Sequence, residues 1–338
     1  MTFPFQPLLE RRPSLDDKSI LVTGGTGSFG KAFVRRLLDD HSPRRVVVLS
    51  RDEQKHHRMA REIPDPRLRF FVGDVRDRDR LMRAFRGVDI VVHAAAMKHV
   101  HISEYNPIEA IRTNVDGAAN VADAALDRGV GRVVALSTDK AVSPLNLYGA
   151  TKLCMEKLLV ASNSYAGDGG TRFDLVRYGN VVGSEGSVVP LFLEQRRRER
   201  LTVTDPAMTR FWIGMNRAVD LVLLALTDGL GGEIFVPKLP ACSVATLAEA
   251  IAPGVPVETI GIRPGEKIHE SMITEDESRL LVEYEQYFVL RPNVSNWAIP
   301  DRTGGTRPEE AFEYSSDITY QLDAEETRGL LKDLDFDV

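Results

Sequence analysis

The sequence predicts an α/β protein built on a doubly wound parallel sheet, followed by a smaller lobe. Apolar runs typical of buried strands alternate with segments of helical apolar spacing up to residue 183. The first apolar run leads into a glycine-rich turn and then a helix, the order of a dinucleotide-binding unit. After residue 183 the alternation loosens. We therefore expect a Rossmann-like domain over 18–183 with some later segments, a mainly substrate-binding lobe over 184–300, and a C-terminal tail over 301–338.

Each element has its own pattern. Short runs rich in Val, Ile, Leu and Phe predict six strands, at 19–23, 45–50, 68–72, 89–93, 133–136 and 173–178. Helical spacing predicts helices at 31–38, 77–85, 106–126 and 148–161. In the later lobe the same signals predict short helices at 188–194, 217–226, 246–251 and 325–331, and strands at 233–236 and 257–262.

Composition narrows the class of protein. The 338 residues carry a net charge of −6, which argues against a general nucleic-acid or membrane partner. No apolar run approaches the roughly 20 residues of a membrane helix, and the N-terminus lacks a signal-peptide core. Two cysteines make neither a disulfide framework nor a zinc site, and His93, His99 and His101 lack further ligands at metal-binding spacing. We expect a cytoplasmic protein without a metal.

The glycine-rich turn is the first candidate site. Its spacing is Gly24-x-x-Gly27-x-x-Gly30. Gly24 permits a tight turn, Gly27 lets the backbone approach a pyrophosphate, and Gly30 lets helix and strand pack closely. An ordinary glycine-rich turn is the alternative, but the strand before it and the helix after it favour nucleotide binding. The candidate cofactor residues here are Gly24, Thr26, Gly27, Ser28, Phe29 and Gly30.

The end of the second predicted strand bears on which cofactor is bound. About 20 residues after the glycines, an NAD enzyme usually offers an acidic residue to the ribose hydroxyls. Here Ser50 is followed by Arg51 and Asp52, with Lys55 one helical turn further on. Arg51 could hold a 2′-phosphate, so the sequence favours NADP(H), while Asp52 keeps NAD possible.

Later strand ends supply the remaining cofactor candidates. Asp74 and Val75 follow the third strand, where they could meet an adenine, although a plain β-turn is equally compatible. The small residues after the fourth strand leave room for pyrophosphate and ribose, and Lys98 offers a cation. These further candidates are Asp74, Val75, Ala94, Ala95, Ala96, Lys98 and Val181.

The stretch 133–152 carries the candidate chemistry. If Tyr148 opens a helix, Tyr148 and Lys152 lie on one face of it. A tyrosine has an ordinary pKa of about 10, and a nearby ammonium together with a cofactor cation would lower it. Tyr148 could then accept a hydroxyl proton while hydride leaves the same carbon. The alternative is a helix start with an exposed lysine.

Several blocks together carry a family resemblance. They are 23–30 (TGGTGSFG), 93–100 (HAAAMKHV), 104–107 (EYNP), 137–141 (STDKA), 146–152 (NLYGATK), 177–180 (RYGN), 208–212 (MTRFW) and 263–267 (RPGEK). They resemble the extended short-chain dehydrogenase/reductases, and within them the soluble UDP-N-acetylglucosamine 4,6-dehydratases that invert C5 and open pseudaminic acid synthesis. The resemblance covers about 18–290. Membrane-anchored relatives typically have Met where this chain has Tyr148.

The resemblance implies an internal redox dehydration with a tightly bound, recycled NADP. Tyr148, tuned by Lys152, would take the C4 hydroxyl proton while the C4 hydride goes to NADP⁺, and Thr138 would hydrogen-bond the C4 oxygen. Lys140 would be the base at C5 and Asp139 the acid for the C6 hydroxyl, and we expect burial to depress the pKa of Lys140. The implied substrate contacts are Lys98, Tyr148, Asn180, Arg210, Arg263 and Glu266. The relatives also suggest a homo-oligomer, a dimer or a hexamer.

Two features depart from the family pattern. Glu185 stands where these relatives usually have Arg, which reverses a charge near the expected nucleotide-sugar pocket. The N-terminal stretch 1–18 is longer than usual, and no role follows from its sequence.

Two rival functions remain at this stage. A nucleotide-sugar 4-epimerase or reductase on the same fold needs the Tyr and Lys, but it does not need an Asp-Lys pair after the fifth strand. A non-catalytic NADP-binding regulator could keep the glycine turn while losing Tyr148 or Lys152, yet both are present.

Overall fold

A parallel sheet forms the centre of the molecule, as the alternating pattern predicts. The computed structural model describes residues 8, 14–167, 169–184, 186–293 and 301–338. All six predicted strands are confirmed, with small shifts at their ends: β1 Ser19–Thr23, β2 Arg45–Ser50, β3 Leu68–Val72, β4 Ile90–His93, β5 Arg132–Leu136 and β6 Arg172–Val176. They pair in parallel in the order β6-β5-β4-β1-β2-β3. The strand order reverses between β1 and β4, which is where such sheets open a ligand crevice.

Helices join these strands and cover the sheet. They are α1 Ser28–Asp40, α2 Glu53–Glu62, α3 Arg78–Ala84, α4 Val100–Tyr105, α5 Pro107–Ile111, α6 Gly117–Arg128 and α7 Leu147–Ser162. α4 was not predicted, because it is one short turn of helix in a stretch that reads as loop. The confirmed fold class is thus a Rossmann-like α/β sheet.

The prediction of one continuous helix over 106–126 is wrong in its middle. A π-helical turn, Arg112–Asp116, separates α5 from α6. The buried side chain of Asn114 exchanges two hydrogen bonds with the backbone of Met97, at 2.8 and 3.0 Å, and donates a third to Thr151 Oγ1 at 3.0 Å. These tertiary bonds fix the turn, and π-turns commonly occur at functional sites.

The chain from residue 180 onward contributes strands both to the main sheet and to small separate sheets. Its strands are β7 Asn180–Val181, β8 Leu201–Val203, β9 Thr209–Ile213, β10 Ile234–Pro237, β11 Ala241–Ser243, β12 Val257–Thr259, β13 Ser271–Ile273, β14 Leu281–Glu283, β15 Tyr287–Leu290 and β16 Tyr314–Ser315. β10 pairs in parallel with β6, and β15 and β14 add antiparallel, so the described sheet has nine strands. The other late strands form small sheets.

The predicted strand 257–262 is too long. β12 ends at Thr259, whose partner Val203 is the last residue of β8. Gly261 then adopts a left-handed φ of +87°, which turns the chain. The following residues up to Pro264 are exposed.

The smaller lobe has its own apolar core. Its helices are α8 Val188–Arg196, α9 Met215–Asp228, α10 Val244–Ile251, α11 Glu275–Ser278 and α12 Ala324–Asp333. α9 packs under the main sheet, whereas α8, α10 and α12 enclose a separate cluster around Phe192, Trp212 and Leu331. In the described part of the chain, no helix is long and apolar enough to cross a membrane.

Candidate active site

One large cavity crosses the carboxyl ends of the parallel strands. Its volume is about 830 Å³, and it runs from the glycine turn to the segment after β6. Every residue predicted to contact the cofactor lines it: Gly24, Thr26, Gly27, Ser28, Phe29, Gly30, Ser50, Arg51, Asp52, Lys55, Asp74, Val75, Ala94, Ala95, Ala96, Lys98, Tyr148, Lys152 and Val181. Thr138, Lys140 and Asn180 line the same cavity. The structure therefore brings the predicted cofactor residues together with part of the predicted catalytic and substrate set.

The glycine turn has the geometry of a phosphate cradle. Gly24 has a φ of +65°, and a Cβ there would stand 2.9 Å from the Ala95 backbone. A Cβ on Gly30 would stand 2.5 Å from Gly25 Cα, so only glycine permits this close packing. Gly27 is the N-cap of α1 and offers no capping side chain, which leaves the first backbone N–H groups available to an anion. These features fit a dinucleotide.

The other end of the cavity is rich in cations. Asp52 caps α2, because its Oδ1 accepts hydrogen bonds from Gln54 N and Lys55 N at 2.9 and 3.0 Å. The bond from the Lys55 backbone is the main reason why the pKa of Asp52 is lowered. Arg51 is 58% exposed, and its Nη1 lies 3.7 Å from Asp74 Oδ2. Part of the Asp52 carboxylate is thus committed to helix capping, while Arg51 and Lys55 border the cavity.

The turn after β5 places an acid–base pair beside this cavity. Thr138 caps a 3₁₀ turn, Asp139–Ala141, and donates a hydrogen bond to Asp139 Oδ1 at 2.9 Å. Lys140 Nζ donates to the same oxygen at 3.0 Å and lies 3.4 Å from Asn180 Oδ1. Asp139 is fully buried, and no described group hydrogen-bonds its Oδ2. The cavity reaches Lys140, with Asp139 directly behind it.

The pKa of Lys140 differs from the expectation. Burial disfavours the ammonium, as predicted, but the carboxylates of Asp139 and Glu270 outweigh burial and raise the pKa of Lys140. The expected depression of this pKa is therefore wrong for the site as it stands. Lys140 must pass on a proton before it can act as a base.

Tyr148 and Lys152 lie on one face of α7, and both line the cavity. α7 begins at Leu147 because Asn146 Oδ1 accepts a hydrogen bond from Gly149 N at 2.8 Å. Burial raises the pKa of Tyr148 to about 12, although the Lys140 charge and a hydrogen bond with Thr138 oppose it. Burial lowers the pKa of Lys152 to about 8.

Lys152 is not among the groups of this chain that lower the pKa of Tyr148, so its tuning of Tyr148 together with a cofactor cation stays a prediction. Lys152 Nζ donates to the carbonyl oxygen of Leu136 at 2.6 Å, deep at the end of β5. Lys140 is the cation that lowers the pKa of Tyr148, and it does so less than burial raises it.

Gly149 allows this arrangement. A Cβ at Gly149 would overlap the carbonyl oxygen of Lys140, so the start of α7 and the turn Asp139–Ala141 pack with backbone against backbone. We expect Gly149→Ala to lower the free energy of unfolding by about 1–3 kcal/mol through overpacking. Gly329→Ala is the matched control, because it lies in α12 with nothing near its Cβ, and it should be neutral or stabilise by up to about 1 kcal/mol. Thermal unfolding measures both; equal effects would contradict the packing argument.

Three predicted substrate residues do not reach the cavity. Arg210 donates to the carbonyl oxygens of Thr209, Lys267 and Ile268 at 2.7, 2.9 and 3.0 Å. Arg263 is exposed, and its backbone N–H donates to Glu266 Oε2 at 3.2 Å. None of Arg210, Arg263 and Glu266 is among the lining residues, so their contact with substrate stays a prediction. Glu185 and most of the N-terminal stretch lie outside the described residues.

A buried ionic network behind the site was missed from the sequence. Arg177 pairs with Glu156 at 2.7 Å and with Glu277 at 3.0 Å, and Ser137 donates to Glu156. The network joins the ends of β5 and β6, α7 and the later lobe. Glu156 follows Lys152 by one helical turn, which is the only local signal that could have indicated it.

Other cavity residues were not among the site residues predicted from the sequence. They include Met97, Thr113, Ser137, Tyr178, Ser184, Ser187 and Met215. The Oγ1 of Thr113 and the Oγ of Ser187 are buried without a hydrogen-bond partner in the described structure. His93, by contrast, is packed: it is hydrogen-bonded to Thr23 Oγ1 at 2.8 Å, and burial lowers its pKa to about 3. Within the described ranges, no group of three or more side chains could hold a metal ion.

The fold and the Tyr-Lys pair define the class as an extended short-chain dehydrogenase/reductase. Comparison with known proteins narrows this class to one family. The model of the polysaccharide biosynthesis protein family matches residues 20–292. The inverting UDP-N-acetylglucosamine 4,6-dehydratase of Campylobacter jejuni serotype O:2 is 50% identical over 311 residues, which cover 89% of this chain and 92% of the relative. The chain belongs to this polysaccharide biosynthesis family, and the resemblance found in the motifs is confirmed.

Two solved structures agree with the fold. Pen from Bacillus thuringiensis superposes with a TM-score of 0.89 at 38% identity, covering 95% of this chain and 99% of that one. DesIV, a dTDP-glucose 4,6-dehydratase from Streptomyces venezuelae solved with NAD, has a TM-score of 0.67 at 29% identity, with coverage of 74% and 86%.

Proposed function

We propose that this protein is an NADP-dependent UDP-N-acetylglucosamine 4,6-dehydratase that inverts C5. The observation that carries the proposal is the hydrogen-bonded Asp139–Lys140 pair, whose lysine lines the same cavity as Tyr148 and Lys152. An oxidoreductase or a 4-epimerase needs only the second pair, whereas removal of water needs an additional acid and base. The identity to the Campylobacter enzyme supports the substrate.

The first step is oxidation at C4. When bound, NADP⁺ accepts the C4 hydride and later returns it to C6. Tyr148 would take the C4 hydroxyl proton as a phenolate, and the positive charge that the oxidised cofactor supplies when bound would lower its raised pKa. Thr138, whose hydroxyl donates to Asp139 Oδ1 at 2.9 Å, would turn to hydrogen-bond the C4 oxygen.

The second step is the loss of water across C5 and C6. The 4-keto group acidifies the C5 proton, because the resulting carbanion is an enolate. Transfer of one proton from Lys140 to Asp139, over 3.0 Å, yields a neutral amine and a carboxylic acid together. Lys140 then takes the C5 proton, Asp139 gives its proton to the leaving C6 hydroxyl, and both groups return to the ion pair. Hydride reaches C6, a solvent-derived proton reaches C5 from the face opposite Lys140 to give the inverted product, and Tyr148 releases to solvent the proton that it took.

The preference for NADP rests on Arg51. A phosphate on the adenosine ribose would meet Arg51 and Lys55, whereas the Asp52 carboxylate is partly used by the α2 cap. We expect Arg51→Ala to weaken NADP⁺ binding by about 10–100-fold, the loss of one charge-assisted hydrogen bond, and to leave NAD⁺ binding unchanged. Calorimetric titration of nucleotide-free protein measures both. Arg61→Ala, an exposed residue at the far end of α2, is the control. Equal losses for both nucleotides would assign Arg51 to a shared phosphate.

Solvent deuterium tests the reaction itself. Purified protein is incubated with UDP-N-acetylglucosamine in D₂O, and the product is followed by NMR and mass spectrometry. A dehydratase gives a 4-keto group, a C6 methyl group and deuterium at C5, and the configuration at C5 reports inversion. A 4-epimerase leaves C5 undeuterated. A protein that binds NADP(H) but changes no nucleotide sugar would be the regulator.

Assembly and location follow as lesser proposals. α4 and α5 expose Ile102, Tyr105 and Ile108, of which Tyr105 is 88% exposed, so this face suits a contact between copies of the chain. A homodimer or homohexamer would be seen in analytical ultracentrifugation. Both cysteines are free thiols, which agrees with the proposed cytoplasmic location.

A further inference from the structure

Glu270 is a buried carboxylate of the later lobe. It reaches the turn Asp139–Ala141, which is called the catalytic turn below. Its side chain is only 4% exposed. Oε1 lies 3.5 Å from Lys140 Nζ, and Oε2 lies 3.7 Å from Lys267 Nζ and accepts no hydrogen bond from any described group. Such a carboxylate is costly to bury unless it serves the cations around it.

The position of Glu270 is fixed on both sides. The backbone N–H of Glu270 donates to Ser316 Oγ at 2.9 Å, and the backbone N–H of Ser316 donates to Glu270 O at 2.7 Å. Lys267 Nζ donates to the carbonyl oxygen of Val142 at 2.6 Å, just after the catalytic turn. The segment 267–270 is therefore docked against the turn that carries Asp139 and Lys140.

The groups that face Lys140 come from four parts of the chain. Asp139 and Glu270 are the anions, Arg210 on β9 is a second cation, and Tyr148 on α7 is the remaining titratable group. Two carboxylates from different parts of the chain thus hold the Lys140 ammonium, and one of them, Asp139, is the proposed acid.

We propose that Glu270 is a positioning residue for the elimination step: it holds the Lys140 ammonium at the mouth of the cavity and sets how readily that ammonium passes its proton to Asp139. The inference rests on the proposed dehydratase function. The negative charge of Glu270 stabilises the charged amine in the resting enzyme, while Lys267 offsets part of that charge. Lys140 therefore loses its proton to Asp139, its closest carboxylate, and not to solvent. In this step the N–H bond of Lys140 breaks and an O–H bond on Asp139 forms.

The test measures the protonation of Lys140 directly. Acetic anhydride acetylates neutral amines, so the acetylation rate of Lys140 at a fixed pH, read by peptide mass spectrometry and normalised to the exposed Lys332, follows its neutral fraction. The NADP-containing enzyme is used without sugar. In Glu270→Gln we expect Lys140 to be acetylated about tenfold faster or more. Removal of the nearby negative charge destabilises the ammonium and so raises the fraction of neutral amine. Glu270→Asp keeps the charge and should restore most of the slow reaction.

Glu283→Gln is the matched control. Glu283 pairs with Lys238 at the surface edge of the sheet, so its removal should leave Lys140 unchanged. If the substitution only changed how easily acetic anhydride reaches Lys140, the limiting acetylation rate at high pH would change. The pH at which acetylation reaches half of that limiting rate would stay the same. Identical pH dependence of Lys140 labelling in wild type and Glu270→Gln, with thermal unfolding showing a folded variant, would overturn the proposal.

Turnover provides a separate readout. Glu270→Gln should lower kcat by about tenfold or more with little change in KM, and Glu270→Asp should recover part of it. If no variant, including wild type, dehydrates the sugar, the proposed function fails, but the labelling result still decides whether Glu270 controls the protonation of Lys140.

Discussion

Replacement of Tyr148 by Phe is expected to lower kcat by about 10²–10⁴-fold, the usual contribution of a positioned acid–base group. The phenol is the only described group at the start of α7 that both lines the cavity and can accept the C4 proton. The ring remains, so NADP binding and thermal stability should change little. Initial rates with UDP-N-acetylglucosamine and nucleotide titration measure the two effects.

Tyr165→Phe is the control for this experiment, since Tyr165 is 75% exposed and distant from the cavity. The pH dependence gives an independent check. The base must be deprotonated, and burial places the pKa of Tyr148 at about 12, so kcat/KM should rise with pH through the neutral range. A rate that falls with rising pH across that range, or a Phe variant as active as wild type, would remove Tyr148 from the mechanism.

Lys140→Arg is expected to abolish deuterium exchange at C5 and lower product formation by about 10²–10⁴-fold. Arginine keeps the positive charge between Asp139 and Glu270, so neither buried carboxylate is left unpaired, but it does not deprotonate in proteins. Oxidation at C4 does not use Lys140. The variant should therefore accumulate reduced nucleotide when sugar is added, which absorbance spectroscopy detects.

Lys238→Arg provides the comparison, because that lysine forms a similar ion pair with Glu283 away from the cavity. If Lys140→Arg exchanged C5 at the normal rate, another group would be the base. If it failed to form reduced nucleotide at all, the side chain at 140 would be needed for sugar binding, and the elimination would have to be tested through Asp139→Asn.

The sequence by itself determined the sheet strands β1 to β6 and the cofactor cradle. Both depend on local patterns: apolar runs of strand length predict buried strands, and glycines at fixed spacing predict a turn whose backbone a side chain would block. Because the ends of parallel strands meet at one edge, residues as distant in sequence as Gly24 and Val181 could be placed at a single cavity.

Only the tertiary structure decided how the catalytic groups are charged and which partners they have. β14 and β15 join the main sheet, Asn114 sets a π-turn, and Arg210 is held by backbone carbonyl oxygens, all through contacts between distant segments. The same holds for Glu270, which lies 130 residues after Lys140 in the sequence and yet 3.5 Å from its ammonium. A pKa depends on burial and on the charges within a few ångströms, and neither is encoded in the neighbouring sequence.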